Sequence, residues 1–133
     1  MNYLLDSNTC IRYLNGRARS ISTKLQSCRP EQIFVCSVVK FEMLYGAMRS
    51  TAPHRMFAQQ LKFFGAFASL AFDDNAANHC GKIRAELAEK GMPIGPYDLQ
   101  IAAIALAHDL TLVTHNTSEF SRVLGLKIED WEQ

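Results

Sequence analysis

The sequence has no uninterrupted apolar run approaching the roughly 20 residues that span a membrane. Its opening, Met1-Asn2-Tyr3-Leu4-Leu5-Asp6, lacks the basic start of a secretion signal and ends its apolar stretch in a carboxylate. A cytoplasmic protein with no membrane partner is expected. Cys10, Cys28, Cys36 and Cys80 show neither a CxxC pair nor zinc-ligand spacing, which predicts reduced, mostly buried thiols rather than a disulfide framework. There is no glycine-rich phosphate loop and no GxSxG elbow, so neither motif-borne chemistry has support. His54, His79, His108 and His115 form no metal spacing with one another, and only His115 lies near the candidate site described below. Internal repeats, low-complexity tracts and linkers are absent. The formal net charge of +1 neither demands nor excludes nucleic acid, because a local basic face can coexist with a neutral total.

What is present is one domain, residues 1–133, with 48% hydrophobic and 20% charged residues, as for a folded globular chain. Leu4-Leu5 reads as a buried strand. Ser7 or Asn8 can cap a following helix that Gly16 closes. A second helix covers the region from Ile21 to Cys28, ahead of Pro30. Ile33-Phe34-Val35 is the next strand, and Ser37 is an N-cap for a helix from Val38 to about Arg49. Helical spacing of Phe57, Leu61, Phe64 and Ala68 predicts a helix from Arg55 to Ala68, followed by a strand at Leu70-Ala71-Phe72. A helix starts at Asp74 or Asn75 and stops at Gly91. Pro96 opens another, apolar nearly all round from Leu99 to Ala107, which marks it as central. Thr111–Thr114 is a strand and Lys127-Ile128 an edge strand. Strands alternating with helices predict an α/β fold: a mainly parallel sheet flanked by helices, binding ligands beyond the carboxyl ends of its strands.

Four carboxylates fall at the edges of these units: Asp6, Glu42, Asp98 and Glu119. Burying acidic groups singly is costly, but a divalent cation makes a cluster of them sensible. Each has an ordinary reading too. Asp6 can be a cap, with Asn8 placed to hold its carboxylate or a metal-bound water. Glu42, on a face with Val38, Phe41 and Tyr45, can pair with a lysine or arginine or ligate a metal. Asp98 gains from its helix N-terminus, which also keeps it ionised. In Thr114-His115-Asn116-Thr117-Ser118-Glu119-Phe120, Thr114 can position a carboxylate or water, while Asn116 and Glu119 offer oxygens. Oxygen-only ligands select Mg²⁺ or Mn²⁺ over zinc.

Four segments in order carry a resemblance: Leu4-Leu5-Asp6-Ser7-Asn8, Glu42-Met43-Leu44-Tyr45-Gly46, Ile94 to Ala102, and Leu112 to Phe120, with the closing Leu126 to Trp131. Together they resemble PIN-domain ribonucleases, and among these the VapC toxins of bacterial type II toxin–antitoxin systems. The resemblance implies a PIN-like three-layer fold and a Mg²⁺- or Mn²⁺-dependent endoribonuclease. It implies initiator tRNA, cut in the anticodon stem-loop, as substrate, with products ending in 5′-phosphate and 3′-hydroxyl. A cognate antitoxin that masks the site, a toxin homodimer, and a toxin–antitoxin assembly on operator DNA are implied as partners. Asp6, Glu42 and Asp98 match the family's central acidic positions and are the expected metal ligands. Many PIN domains have aspartate where Asn116 stands, so Glu119 is the nearest replacement and a one-metal scheme is favoured.

Arg12, Arg17, Arg19 and Lys40 are candidates to frame the site for RNA, and Tyr97 could stack on a base. The wide aromatic face of Phe57, Phe63, Phe64 and Phe67 is expected to meet a partner in part. Two other classes remain open: a module that binds RNA or a partner without cutting, favoured by Asn116, and a receiver-like phosphoacceptor. The latter usually needs a lysine after a late strand, and the segment after Thr114 has none.

Overall fold

A computed structural model of the chain describes residues 1–132; Gln133, the end of the expected domain, lies outside the described residues. Five short strands form one sheet: β1 (Tyr3–Leu5), β2 (Ile33–Cys36), β3 (Ala68–Leu70), β4 (Thr111–Val113) and β5 (Ile128–Glu129), in the order β3-β2-β1-β4-β5. Every pairing is parallel, with Leu4 opposite both Phe34 and Leu112. Parallel neighbours need crossovers, and helices supply them: α1 (Ser7–Leu14) and α2 (Arg19–Ser27), α3 (Ser37–Met48) and α4 (Pro53–Phe64), α5 (Asp74–Glu89) and α6 (Pro96–Ala107), then the single turn α7 (Thr117–Phe120). The chain builds outward from β1 through β2 to β3, then resumes at β4 on the other side. With right-handed crossovers, that reversal puts helices on both faces of the sheet.

The central strands and α6 form the heart of the core. Leu4, Val35, Leu112, Val113 and Ile101 through Ala105 are sealed from solvent. That explains why α6 is apolar all round: α5 packs on one side of it, α3 and β4 on others. Cys10 and Cys36 are buried free thiols and Cys28 and Cys80 half-buried ones, and burial pushes Cys36 up to about 11. Among the described residues no helix is long and apolar enough to cross a membrane.

Several local expectations shift. Asp6, rather than Ser7 or Asn8, caps α1, its carboxylate accepting from the Thr9 N–H at 2.8 Å. Cys36 stands at the N-cap of α3, while Ser37 Oγ turns away and accepts from the Phe72 N–H. Asp73, one residue early, caps α5 through the Ala76 N–H. α4 ends at Phe64 and Ala68 begins β3, so the strand expected at Leu70–Phe72 lies two residues upstream. Ala68 continued the apolar spacing past the helix although it is exposed in β3, while Phe67 packs against Phe63 from the turn beyond the helix, with ring centroids 5.3 Å apart. Phe63 and Phe64 are core residues, whereas Phe57 and Phe67 are half-buried and Leu61 is exposed.

Candidate active site

The parallel sheet aims the carboxyl ends of β1 and β4 at one edge, and the four carboxylates collect there. Asp6 follows β1 directly and is 4% exposed. Burial raises its pKa, while hydrogen bonds from Thr114 and Thr9 oppose the rise. Thr114 is sealed from solvent, and its hydroxyl also accepts from the Asn116 N–H at 3.0 Å, which ties the β4 loop to the β1 carboxylate. Asn8, expected to hold Asp6, is exposed; the two threonines do that work.

Glu42 does not lie on the buried stripe of α3. That stripe is Val39, Met43 and Ala47, at every fourth position; of the residues expected to share a face with Glu42, Val38 is buried but Phe41 and Tyr45 are exposed, and Glu42 sits half-buried at the border. Its partner is no cation. Ser7 Oγ donates to Glu42 Oε1 at 2.7 Å, across 35 residues of chain. Ser7 is therefore a site residue that sequence reasoning used only as a cap; its signal was a hydroxyl next to Asp6. Asp98 lies in the first turn of α6, half-buried. Its pKa is pushed up to about 6, first by burial and then by the charges of Asp6, Glu42 and Glu119. That dependence places Asp6, Glu42 and Glu119 within electrostatic reach of Asp98. Glu119 is held by Asn116, whose Nδ2 donates to Glu119 Oε2 at 2.9 Å. Asn116 thus orients a carboxylate.

Among the described residues none of the four carboxylates forms an ion pair with lysine, arginine or histidine. Like charges gathered at a half-buried edge without a counter-ion fit a divalent cation with oxygen ligands. The donor atoms that lie within 4.8 Å of one another belong instead to His115, Asp130 and Glu132. Among the described residues the central carboxylates form no group that tight.

A family model for the PIN domain matches residues 3–126. The chain is 40% identical over 131 residues to the tRNA(fMet)-specific endonuclease VapC of Salmonella typhimurium, covering 98% of each protein. The chain belongs to the PIN-domain family, in its VapC branch. Solved structures agree. The fold matches DNA-bound VapBC from Salmonella typhimurium with a TM-score of 0.93 at 40% identity, over 98% of both chains. It matches VapBC2 from Rickettsia felis, bound to a promoter DNA fragment, with a TM-score of 0.92 at 32% identity, over 98% of this chain and 99% of that one.

Around this PIN-domain centre the expected cations are unevenly placed. Arg12 forms an ion pair with Glu132, and the Lys40 ammonium sits 5.4 Å from the Phe64 ring centroid, so neither is a free surface charge. Arg17 and Arg19 are exposed. His115 bonds Asp130 at 2.8 Å, and that bond raises its pKa. Asp130 and Glu132 escaped sequence reasoning because only folding carries the end of β5 beside the β4 loop. Tyr97 is half exposed and packs edge-on against Phe41 at 4.9 Å, so one aromatic pair stands beside Glu42 and Asp98.

Proposed function

We propose that this protein is the toxin of a type II toxin–antitoxin module, a metal-dependent endoribonuclease that hydrolyses tRNA, with the anticodon stem-loop of initiator tRNA as its substrate. The observation that carries the reading is four carboxylates that have no cationic partner among the described residues, at the sheet edge of a chain so similar to a tRNA(fMet)-specific endonuclease. Asp6, Glu42 and Asp98 would hold Mg²⁺, with Mn²⁺ as the alternative. When bound, the ion supplies an activated water and offsets charge developing on the phosphoryl oxygens.

The chain's own residues do the rest. Asp6 is fixed by Thr9 and Thr114, so one ligand needs little reordering on binding. Ser7 engages one oxygen of Glu42 and leaves the other to orient the attacking water. Asn116 does the same for Glu119, which bears on Asp98. A homodimer, a cognate antitoxin that covers the site, and operator binding through that antitoxin complete the proposal; the matched VapBC structures include DNA-bound complexes. Action in the cytoplasm, where tRNA resides, belongs to the same reading.

Purified protein incubated with initiator tRNA tests it. Cleavage that requires Mg²⁺, stops with chelator and is absent in Asp6→Ala is the expected result, with 5′-phosphate and 3′-hydroxyl ends. Cleavage unchanged in Asp6→Ala, or cyclic-phosphate ends, overturns it. Tight tRNA binding without cutting would favour the non-cleaving module.

A further inference from the structure

The helix α3 has no polar face. Lys40 and Glu42 are its only charged residues, and a helix apolar all round is normally covered on every side. Val39, Met43 and Ala47 meet the core. Phe41, Leu44, Tyr45 and Met48, at three- and four-residue spacing, instead stand between 37% and 64% exposed in one outward stripe. Tyr97 of α6, itself exposed, extends the stripe by packing on Phe41. Contiguous apolar surface rich in aromatics and methionine and poor in charge has the composition of an interface core. It does not suit RNA, whose backbone asks for cations.

Beside this stripe runs a second row, Glu42, Gly46 and Arg49, spaced by four and three residues on one side of the helix. Glu42 belongs to the carboxylate cluster, and Arg49 stands two turns away, about 10 Å along the axis. Arg49 forms no ion pair among the described residues; its guanidinium carbon lies 5.9 Å from the centroid of the Tyr45 ring. Gly46 is exposed, and nothing lies within 4 Å of where a Cβ would stand, so the row is open to an approaching side chain. A row acidic at one end and basic at the other complements itself when reversed. A two-fold axis across α3, between Tyr45 and Gly46, reverses it. That axis runs a second α3 antiparallel to the first, apolar stripe on apolar stripe, and sets each Arg49 opposite Glu42 of the other copy.

We infer that two copies of this chain pair through α3 in this antiparallel sense, and that each lends Arg49 to the carboxylate site of the other as a phosphate-binding residue. The inference deepens the nuclease and homodimer reading above and rests on it. Gathered carboxylates repel a phosphodiester as they repel one another. A guanidinium at their rim offers paired N–H donors to the scissile phosphate and offsets the charge that develops on it. Carboxylates and cation then come from different chains, so a monomer holds an incomplete site.

The test reads the pairing and the chemistry separately. The double variant Glu42→Cys, Arg49→Cys, oxidised and run on a non-reducing gel, should form a covalent dimer that the wild type and both single variants do not. Tyr45→Glu, at an exposed position, should be monomeric in sedimentation equilibrium with an unchanged circular dichroism spectrum. A monomeric wild type, no such cross-link, or a dimeric Tyr45→Glu overturns the inference whether or not the protein cuts RNA. Dimeric Tyr45→Glu with weakened RNA binding would assign the stripe to RNA instead. For the chemistry, Arg49→Ala should stay dimeric and lose about 100-fold in kcat/KM on an initiator-tRNA stem-loop. A hybrid dimer of Arg49→Ala with Asp98→Asn, isolated through two affinity tags, keeps one site with every carboxylate and an Arg49 from its neighbour. It should recover about half the wild-type rate per dimer, because one of two equivalent sites is whole. A hybrid as slow as the Arg49→Ala homodimer overturns the inference and leaves the nuclease reading intact. A wild type that cuts no RNA removes the nuclease reading and the phosphate role of Arg49 with it, while the cross-link still decides the pairing.

Discussion

Asp98→Asn should stabilise the metal-free protein while abolishing cleavage. Asp98 has a pKa pushed from the ordinary 3.8 to about 6 by burial and by Asp6, Glu42 and Glu119. A carboxyl whose folded pKa lies above its unfolded value binds its proton more tightly in the folded state. The stability it confers is full below about pH 4 and lost as the pH rises through about 6. A rise of that size corresponds to about 3 kcal/mol if fully expressed. Asp98 is half exposed, and solvent screening brings the figure to about 1 kcal/mol. Asparagine keeps the shape and removes the ionisation, at the loss of roughly 0.3–1 kcal/mol of favourable interaction with the α6 N-terminus.

Thermal melts in chelator from pH 5 to 8 read the balance. Wild-type Tm should fall across this window relative to Asp98→Asn, by about 3–5 °C at the alkaline end for a domain of this size. Asp6 and His115 also have raised pKa values and remain in both proteins, so the difference reports Asp98 together with its coupling to Asp6. Mg²⁺ should then raise the wild-type Tm at pH 7.5 and leave that of Asp98→Asn almost unchanged. Parallel Tm–pH curves, or equal stabilisation of both proteins by Mg²⁺, would refute the claim that Asp98 shares an anionic, cation-seeking cluster.

Asp6→Asn should abolish cleavage yet keep the α1 cap, whereas Asp6→Ala should also cost about 1 kcal/mol in urea unfolding. Ser7→Ala should lower kcat about ten-fold, the worth of one hydrogen bond to a charged group, and Ser7→Thr should restore it if the hydroxyl to Glu42 is the cause. Ile104→Ala, at a site sealed within α6, should cost about 2–5 kcal/mol in the same urea titration.

The sequence carried the central strands because they are apolar runs ending at a strong signal, Leu4-Leu5 before Asp6 and Leu112-Val113 before the Thr114 loop, whereas β3, Ala68-Ser69-Leu70, is no such run and was displaced by two residues. It carried Asp6 and Asp98 for the same reason: both stand where an element begins, and an element boundary is visible in one dimension. Glu42 was found, but its surroundings were misjudged. Positions 38, 41 and 45 share a helical face with it, yet which face α3 buries depends on α1, α4 and α6 packing against it. Ser7's bond to Glu42 and Glu132's contact with Arg12 join distant segments, so no local pattern announces them.

How the fold tolerates four like charges without a cation can be traced to where each is rooted. Asp6 caps α1, Asp98 lies in the first turn of α6 and Glu119 in that of α7. Three carboxylates thus sit at helix starts, where backbone N–H groups favour negative charge. Glu42 sits mid-helix, without that support, and it is the one held by a serine hydroxyl from another element. The compensation is incomplete, since Asp98 still rises to about 6. Helix starts favour negative charge, but they supply only partial charges. The remaining repulsion is available to drive cation binding, and a protein that removed it with a buried arginine would gain stability at the expense of the site.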